Sequence, residues 1–517
     1  MVTGCWVLVG IVVGSICYYW FVSSSNKSKE KEEEEEEKEN QDQYVKGRPQ
    51  VPKGRLGWPL IGETLDFIAC GYTSRPVSFM ENRTSQYGKV FKTHILGTPI
   101  IVSTDAEVNK VVLQNHGNTF VPAYPKSIKE LLGKNSILQI NGSLHKRVHG
   151  LIGGFLKSPQ FKARITRDIE NSVKLNLAGW TDHMHHPIYI QDETQKITFE
   201  VLVRVLMSIG PGEDLNFLKR EFEEFIKGLI CLPIKLPGTR LYKSLKARER
   251  LLKMVGKIVE EKRKAKTQER GGPVCDAMDA LLRDSCDSND AQRLPLDYVA
   301  GNIIEMMIPG EETVPMAMTL AVKYLSDSPV ALDKLREENM ELKKQKVDSS
   351  ENYLWTDYMS LPFTQNVISE TLRMANIINA IWRKAPGDVE IKGYLIPKGW
   401  CVLASFSSVH MDEENYEHPY QFNPWRWEKG EAALNYSTSF TPFGGGQRLC
   451  PGLELSRLEL SIFLHHLVTS YKWVAEKDEI IHFPTVKMKR KLPISITSTI
   501  SLSALAHQGN SVQYISS

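Results

Sequence analysis

The stretch of this 517-residue chain densest in unusual chemistry is Pro442-Phe443-Gly444-Gly445-Gly446-Gln447-Arg448-Leu449-Cys450-Pro451-Gly452. Three consecutive glycines let a backbone approach another group closely, because no Cβ intervenes. A helix predicted over residues 453–471 aims its first N–H groups back at the Cys450 sulfur, which lowers a thiol's pKa, and Arg448 adds a cation nearby. A glycine-rich loop, an arginine and a thiolate at a helix start suit an anionic cofactor lying flat on backbone. The competing readings are a glycine-rich phosphate loop or a plain buried thiol. Seven further cysteines, at positions 5, 17, 70, 231, 275, 286 and 401, form no C-x-x-C pair and no zinc spacing. They read as small buried hydrophobes in a reducing compartment.

A second constellation lies in Pro309-Gly310-Glu311-Glu312-Thr313-Val314-Pro315, which interrupts a helical pattern over 297–326. Pro315 cannot donate to the carbonyl of Glu311, so that carbonyl is freed and the helix kinks. Glu312 and Thr313 supply an acid and a hydroxyl for proton transfer; the bland reading is a helix broken in two by a turn. Glu370 and Arg373 stand at i, i+3 on a helix and face each other. Exposed, such a pair contributes little. Arg426 follows in Phe422-Asn423-Pro424-Trp425-Arg426-Trp427, Arg383 in Ala380-Ile381-Trp382-Arg383, and His145, Arg147 and His149 share one short helical stretch.

The elements that must position these groups read as mainly α with a minor β-sheet, an α+β fold. Helices are predicted from Asp105 and over 216–231, 243–266, 297–326 and 329–343. Strands are predicted around 90–103 and 387–405, with turns at Gly97, Gly393 and Pro397-Lys398-Gly399. Pairing of these two strand regions makes residues 49–502 one domain. Ahead of it, Val2 to Val22 carries no charge and at about 1.5 Å per residue spans roughly 30 Å, enough to cross a bilayer. Lys27, Lys29 and Lys31 follow it, which places the bulk of the chain in the cytosol; the alternative is a cleaved signal peptide. Residues 23–48 form a charged, solvated linker, a Pro/Gly hinge opens at Pro49, and 503–517 is a flexible tail. Net charge is +3 with 64 basic and 61 acidic residues interspersed, so no nucleic-acid surface is expected.

The cysteine loop resembles that of the cytochrome P-450 superfamily, F-x-x-G-x-R-x-C-x-G, at Phe443, Gly446, Arg448, Cys450 and Gly452. The resemblance implies a P-450 fold behind an N-terminal transmembrane helix, with haem b (iron protoporphyrin IX) bound and Cys450 as the axial thiolate that favours O–O cleavage. It implies that Arg448 and Arg383 meet haem propionates. The family's W/H-x-x-x-R helix maps onto His145 and His149; His149 stands at the arginine position, so His145 or His149, and less readily Arg147, would contact a propionate. It implies a structural triad of Glu370, Arg373 and Arg426. It implies that Gly310 leaves room for dioxygen and substrate while Glu312 and Thr313 relay protons; Pro309 and Pro315 depart from the usual small residues and imply an altered groove. Electrons would come from NADPH through a separate membrane-bound reductase of the endoplasmic reticulum, in keeping with the absence of a dinucleotide fingerprint. Residues 133–143, 232–239 and 393–401 resemble the plant subfamily that hydroxylates the side chain of 22-hydroxylated brassinosteroid precursors at C-23. Family geometry makes Phe120, Ile137, Met306, Ile377 and Ile381 substrate-facing, and a steroid pocket requires such apolar residues. The alternatives are a triterpenoid or other sterol hydroxylase, a haem-thiolate isomerase or dehydratase, and a non-catalytic haem sensor.

Overall fold

The computed structural model describes residues 49–115, 119–180, 186–268, 274–287, 294–428 and 438–498. The expected anchor, charged linker and tail lie outside the described residues. Among the described residues no helix is long and apolar enough to cross a membrane.

Among the described residues the strands are short: β1 (Val90–Ile95), β2 (Thr98–Ser103), β3 (Val121–Pro122), β4 (Ile188–Tyr189), β5 (Ala380–Lys384), β6 (Val389–Ile391), β7 (Tyr394–Ile396), β8 (Cys401–Ser405), β9 (Tyr471–Ala475), β10 (Ile480–Ile481), β11 (Lys487–Met488) and β12 (Pro493–Ser498). The main sheet has the order β1-β2-β8-β5-β3. Its centre is the expected union of distant regions: β2 runs parallel to β8, with Ile100 opposite Cys401 and Ser103 opposite Ala404. Strand β5, which sequence reading treated only as a motif, lies antiparallel to β8 and sets Arg383 opposite Val402. A three-stranded sheet orders β4-β12-β9. Residues 49–51 and Lys392–Leu395 belong to a separate small unit, in which Gln50 N donates to Gly393 O at 3.2 Å and Leu395 N to Gln50 O at 2.8 Å.

Helices make up the rest, and their ends follow local chemistry. Ala106–Gln114 begins where the Asp105 carboxylate accepts from Val108 N at 2.8 Å and ends at Asn115 with φ 48°, an N-cap and a left-handed stop. The helix predicted over 216–231 instead spans Glu213–Ile226; turns closed by Gly228 and Leu229 amides follow it. The long helix is interrupted twice, as its prolines dictate, into Leu296–Met306, Ile308–Glu312 and Val314–Asp327. Val314–Asp327 and Leu453–Ser470 are buried along nearly their whole length. Each fully buried Leu, Ile or Phe there, such as Leu320, Ile462 and Phe463, contributes about 1.5–3 kcal/mol relative to exposure. These buried helices carry the candidate functional groups on their termini and interruptions.

Candidate haem-thiolate site

Cys450 sits two residues before the N-cap of Leu453–Ser470, which is Gly452. Its amide donates to Phe443 O at 3.1 Å, closing the loop, and the Gly452 N–H donates to its sulfur. Sequence reading expected a lowered thiol pKa. The structure reverses this: burial pushes the thiol up, the Gly452 amide opposes it only in part, and Arg448 is not among the causes. A thiol so buried becomes a thiolate when a metal replaces its proton. Among the described residues no cluster of three or more His, Cys, Asp or Glu could hold a metal ion.

The glycine run presses on the protein itself. Gly446 has φ 62°, and a Cβ there would lie 2.2 Å from the carbonyl oxygen of Leu113. Only glycine permits that approach, which packs the cysteine loop against the end of Ala106–Gln114.

At this loop lie two arginines, Arg383 buried and Arg448 half-buried. Arg383 donates to Trp382 O at 3.1 Å and to the Tyr124 hydroxyl. Arg448 donates to Ile140 O and, at 3.4 Å, to Leu138 O. Burial lowers both guanidinium pKa values, and Arg383 lowers that of Arg448 further, to about 10. His145 is held at about 4 by burial and then by Arg448, His149 and Arg383. Its ring stacks on that of His149 at 5.5 Å, while His149 Nε2 lies 2.7 Å from Leu449 O. Among the described residues neither Arg383 nor Arg448 has a carboxylate partner. Buried charges require counter-charges, so this set fits a planar ligand bearing two carboxylates and a metal. Arg383 and Arg448 make that demand, His145 stands beside them as a neutral imidazole, and His149 is already engaged with the cysteine loop.

Glu370, Arg373 and Arg426 are brought together. Glu370 Oε1 accepts from Arg373 Nη2 at 2.9 Å and Arg426 Nε at 3.0 Å; Oε2 accepts from Arg373 Nε at 2.9 Å and Trp427 Nε1 at 3.0 Å. Arg373 also donates to His410 O at 2.7 Å, and His410 Nε2 accepts from Thr441 N at 3.1 Å. The cluster thereby reaches the residues just before the cysteine loop.

In the interrupted helix, Thr313 N and Oγ1 both donate to Pro309 O, at 3.1 and 3.0 Å. The Glu312 carboxyl, raised by burial, accepts from the Thr485 hydroxyl and lies near Lys487. The two neighbours are therefore not hydrogen-bonded to each other among the described residues. Gly310 departs from expectation: its missing Cβ faces Leu202 of Ile190–Met207, at 2.6 Å from Cδ2, so it admits a neighbouring helix. Met306, Ile308, Glu312 and Thr313 are half-buried and Pro309 is exposed; of these, Met306, Pro309 and Thr313 are spaced i, i+3, i+7 on one face. Ile137, Ile377 and Ile381 are likewise half-buried. Phe120 is only 1% exposed, with its amide and carbonyl bonded to the Asn115 side chain. It is a core residue rather than one of this set. Asn302 and Glu305 escaped sequence reading: Ile137 N donates to Asn302 Oδ1 at 2.7 Å, and Ser136 Oγ to Glu305 Oε2 at 2.6 Å. No motif marks them, since Asn and Glu are ordinary on a helix.

The cytochrome P450 family model matches residues 52–497. The chain belongs to the cytochrome P450 family. It is 70% identical over 453 residues (88% of this chain, 86% of the relative) to 3-epi-6-deoxocathasterone 23-monooxygenase CYP90C1 of Arabidopsis thaliana. It is 56% identical over 450 residues (87% and 90%) to 3-epi-6-deoxocathasterone 23-monooxygenase CYP90D1 of the same plant. Among solved structures, retinoic acid-bound cyanobacterial CYP120A1 superposes with a TM-score of 0.75 at 26% identity, covering 87% of this chain and all of that one. As a P450 the chain is a haem monooxygenase whose electrons come from NADPH through a redox partner.

Proposed function

We propose that this P450 hydroxylates C-23 in the side chain of 22-hydroxylated brassinosteroid precursors. The observation that carries the reading is the 70% identity, over nearly the whole domain, to a 23-monooxygenase. The overall change is R–H + O2 + NADPH + H⁺ → R–OH + H2O + NADP⁺. Haem, when bound, supplies oxygen activation. Cys450 would hold the iron, and Arg383, Arg448 and His145 would meet the two propionates. Ile137, Met306, Ile377 and Ile381 present apolar surface to the steroid. Glu312, kept protonatable by burial, and Thr313 deliver protons, and Pro309 O orients the Thr313 hydroxyl.

NADPH–cytochrome reductase is the proposed electron donor, and the endoplasmic reticulum membrane the proposed location, with the catalytic body in the cytosol. Two stretches of large exposed apolar residues support membrane contact: Trp58 (79% exposed), Leu60 (90%) and Leu65 in one, and Leu232 and Leu236 in the other. Bulky apolar residues exposed in runs favour a lipid interface over water.

The test is expression with a plant reductase in microsomes, supplied with 22-hydroxylated steroids and a triterpene panel, with products read by mass spectrometry and NMR. A 23-hydroxylated steroid that disappears in Cys450→Ala is the expected result. No steroid product, from protein whose reduced CO complex keeps its thiolate-type spectrum, overturns the substrate assignment.

A further inference from the structure

We propose that Thr198, supported by Thr194 and Gln195, is a positioning residue for the Glu312–Thr313 pair: the Ile190–Met207 helix holds the break in the oxygen-side helix in its working shape. The inference rests on the role given to Glu312 and Thr313 above.

In a continuous helix each carbonyl accepts from the amide four residues on. Pro315 has no amide proton, so the Glu311 carbonyl has no such partner. Thr313, at φ −110° and ψ −58°, turns the chain away from regular helical geometry. Carbonyls freed inside a protein must be paired elsewhere.

The pairing comes from one side. Thr198 Oγ1 lies 2.6 Å from Gly310 O and 2.9 Å from its own helix's Thr194 O. A hydroxyl has one proton. A threonine inside a helix ordinarily gives it to the carbonyl four residues back; here the cross-helix contact is the shorter. Gln195 Nε2 lies 3.4 Å from Glu311 O. Thr319 Oγ1 donates to Pro315 O at 2.7 Å, and Thr194 Oγ1 lies 3.0 Å from Thr319 Oγ1 and 3.1 Å from Pro315 O. Thr194, Thr198 and Thr319 are all fully buried, so water does not substitute for them.

Positions 194, 195 and 198 lie on one face of their helix, opposite 310, 311 and 315. Gly310 makes the approach possible, since a Cβ there would stand 3.1 Å from Leu202 Cβ. Fixing the carbonyls of Gly310 and Glu311 fixes the two peptide planes before Glu312, and with them the directions of the Glu312 and Thr313 side chains. Thr198 is buried between the two helices and acts through the backbone it holds.

The test uses the full-length holoenzyme with its reductase and compares Thr198→Val, which keeps the shape and removes the hydroxyl, with Thr198→Ser, which restores it. In Thr198→Val the reduced CO band and the substrate-induced spectral shift are expected to persist. Amide exchange over residues 310–318 should rise on the order of tenfold, as for a buried hydrogen bond removed. Product formed per NADPH should fall severalfold as hydrogen peroxide release rises. Thr198→Ser should return both readouts to within about twofold of wild type on the same reasoning. Unchanged exchange and coupling in Thr198→Val would overturn the proposal, as would a Thr198→Ser variant as impaired as the valine. If Thr198→Val loses its CO band, Thr198→Ala takes its place; loss in both makes Thr198 a fold determinant and also overturns the proposal. Should wild type yield no 23-hydroxylated steroid, the substrate reading fails, while the exchange data still decide the positioning role.

Discussion

Consider Glu370→Gln. The glutamate has five donors: Arg373 Nη2, Arg426 Nε and Asn423 N on one oxygen, Arg373 Nε and Trp427 Nε1 on the other, all at 2.9–3.0 Å. Glutamine keeps the shape but turns one oxygen into an NH2 group. Either amide orientation sets at least two donors against a donor and leaves two buried guanidinium groups without their anion. Breaking a buried ion pair costs about 3–5 kcal/mol, and each stranded donor about 1–3 kcal/mol. The two overlap, so about 4 kcal/mol is a fair total. At 1.4 kcal/mol per decade this is roughly a thousandfold in the unfolding equilibrium, out of a stability of about 5–15 kcal/mol. Native-state proteolysis reads that population when opening is fast relative to cleavage. Glu370→Gln should be cut about a thousandfold faster than wild type by the same arithmetic. Cleavage within threefold of wild type would refute the reasoning, because the cluster would then contribute nothing net.

Gly446→Ala should abolish the reduced CO band without removing any ligand, since its methyl would meet Leu113 O at 2.2 Å from a backbone with φ 62°; a normal band means the Ala106–Gln114 helix yields. Arg383→Leu should speed haem loss to apomyoglobin at least tenfold, by removing about 1.5–3 kcal/mol of charged hydrogen bonding; an unchanged rate removes Arg383 from the propionate set. His410 has its pKa lowered to about 3, first by burial and then by Arg373. The unfolded chain therefore takes up a proton below about 6.5 that the folded chain refuses. Stability is complete above that pH and falls as pH drops from about 6.5 toward 3. Urea midpoints across this window should fall less steeply in His410→Gln, by about one proton; parallel slopes refute the assignment.

The chemistry was legible where residue type alone dictates geometry. Pro309 and Pro315 announce a broken helix because neither has an amide proton to give, and the cysteine loop announces itself through its glycines. What escaped was whatever depends on a partner distant in sequence. Gly446 reads as room for a ligand until the Leu113 carbonyl is found against it, and Gly310 until Leu202 is. The thiol pKa came out reversed because a helix N-terminus shows in sequence while burial does not. Asn302, Glu305 and Thr198 act through single hydrogen bonds made across the fold, and no local pattern encodes such a bond. Strand β5 was hidden because it is five residues long and takes its register from β8.

The parallel contact between β2 and β8 also has a cost in time. Ile100 finds Cys401 only after the ribosome has made some 300 further residues, which at roughly 5–20 residues per second takes about 15–60 s. During that interval the β1–β2 hairpin carries an open strand edge rich in Ile and Val, the kind of edge that recruits other chains. That edge stays open until the final quarter of the message is translated and β8 covers it.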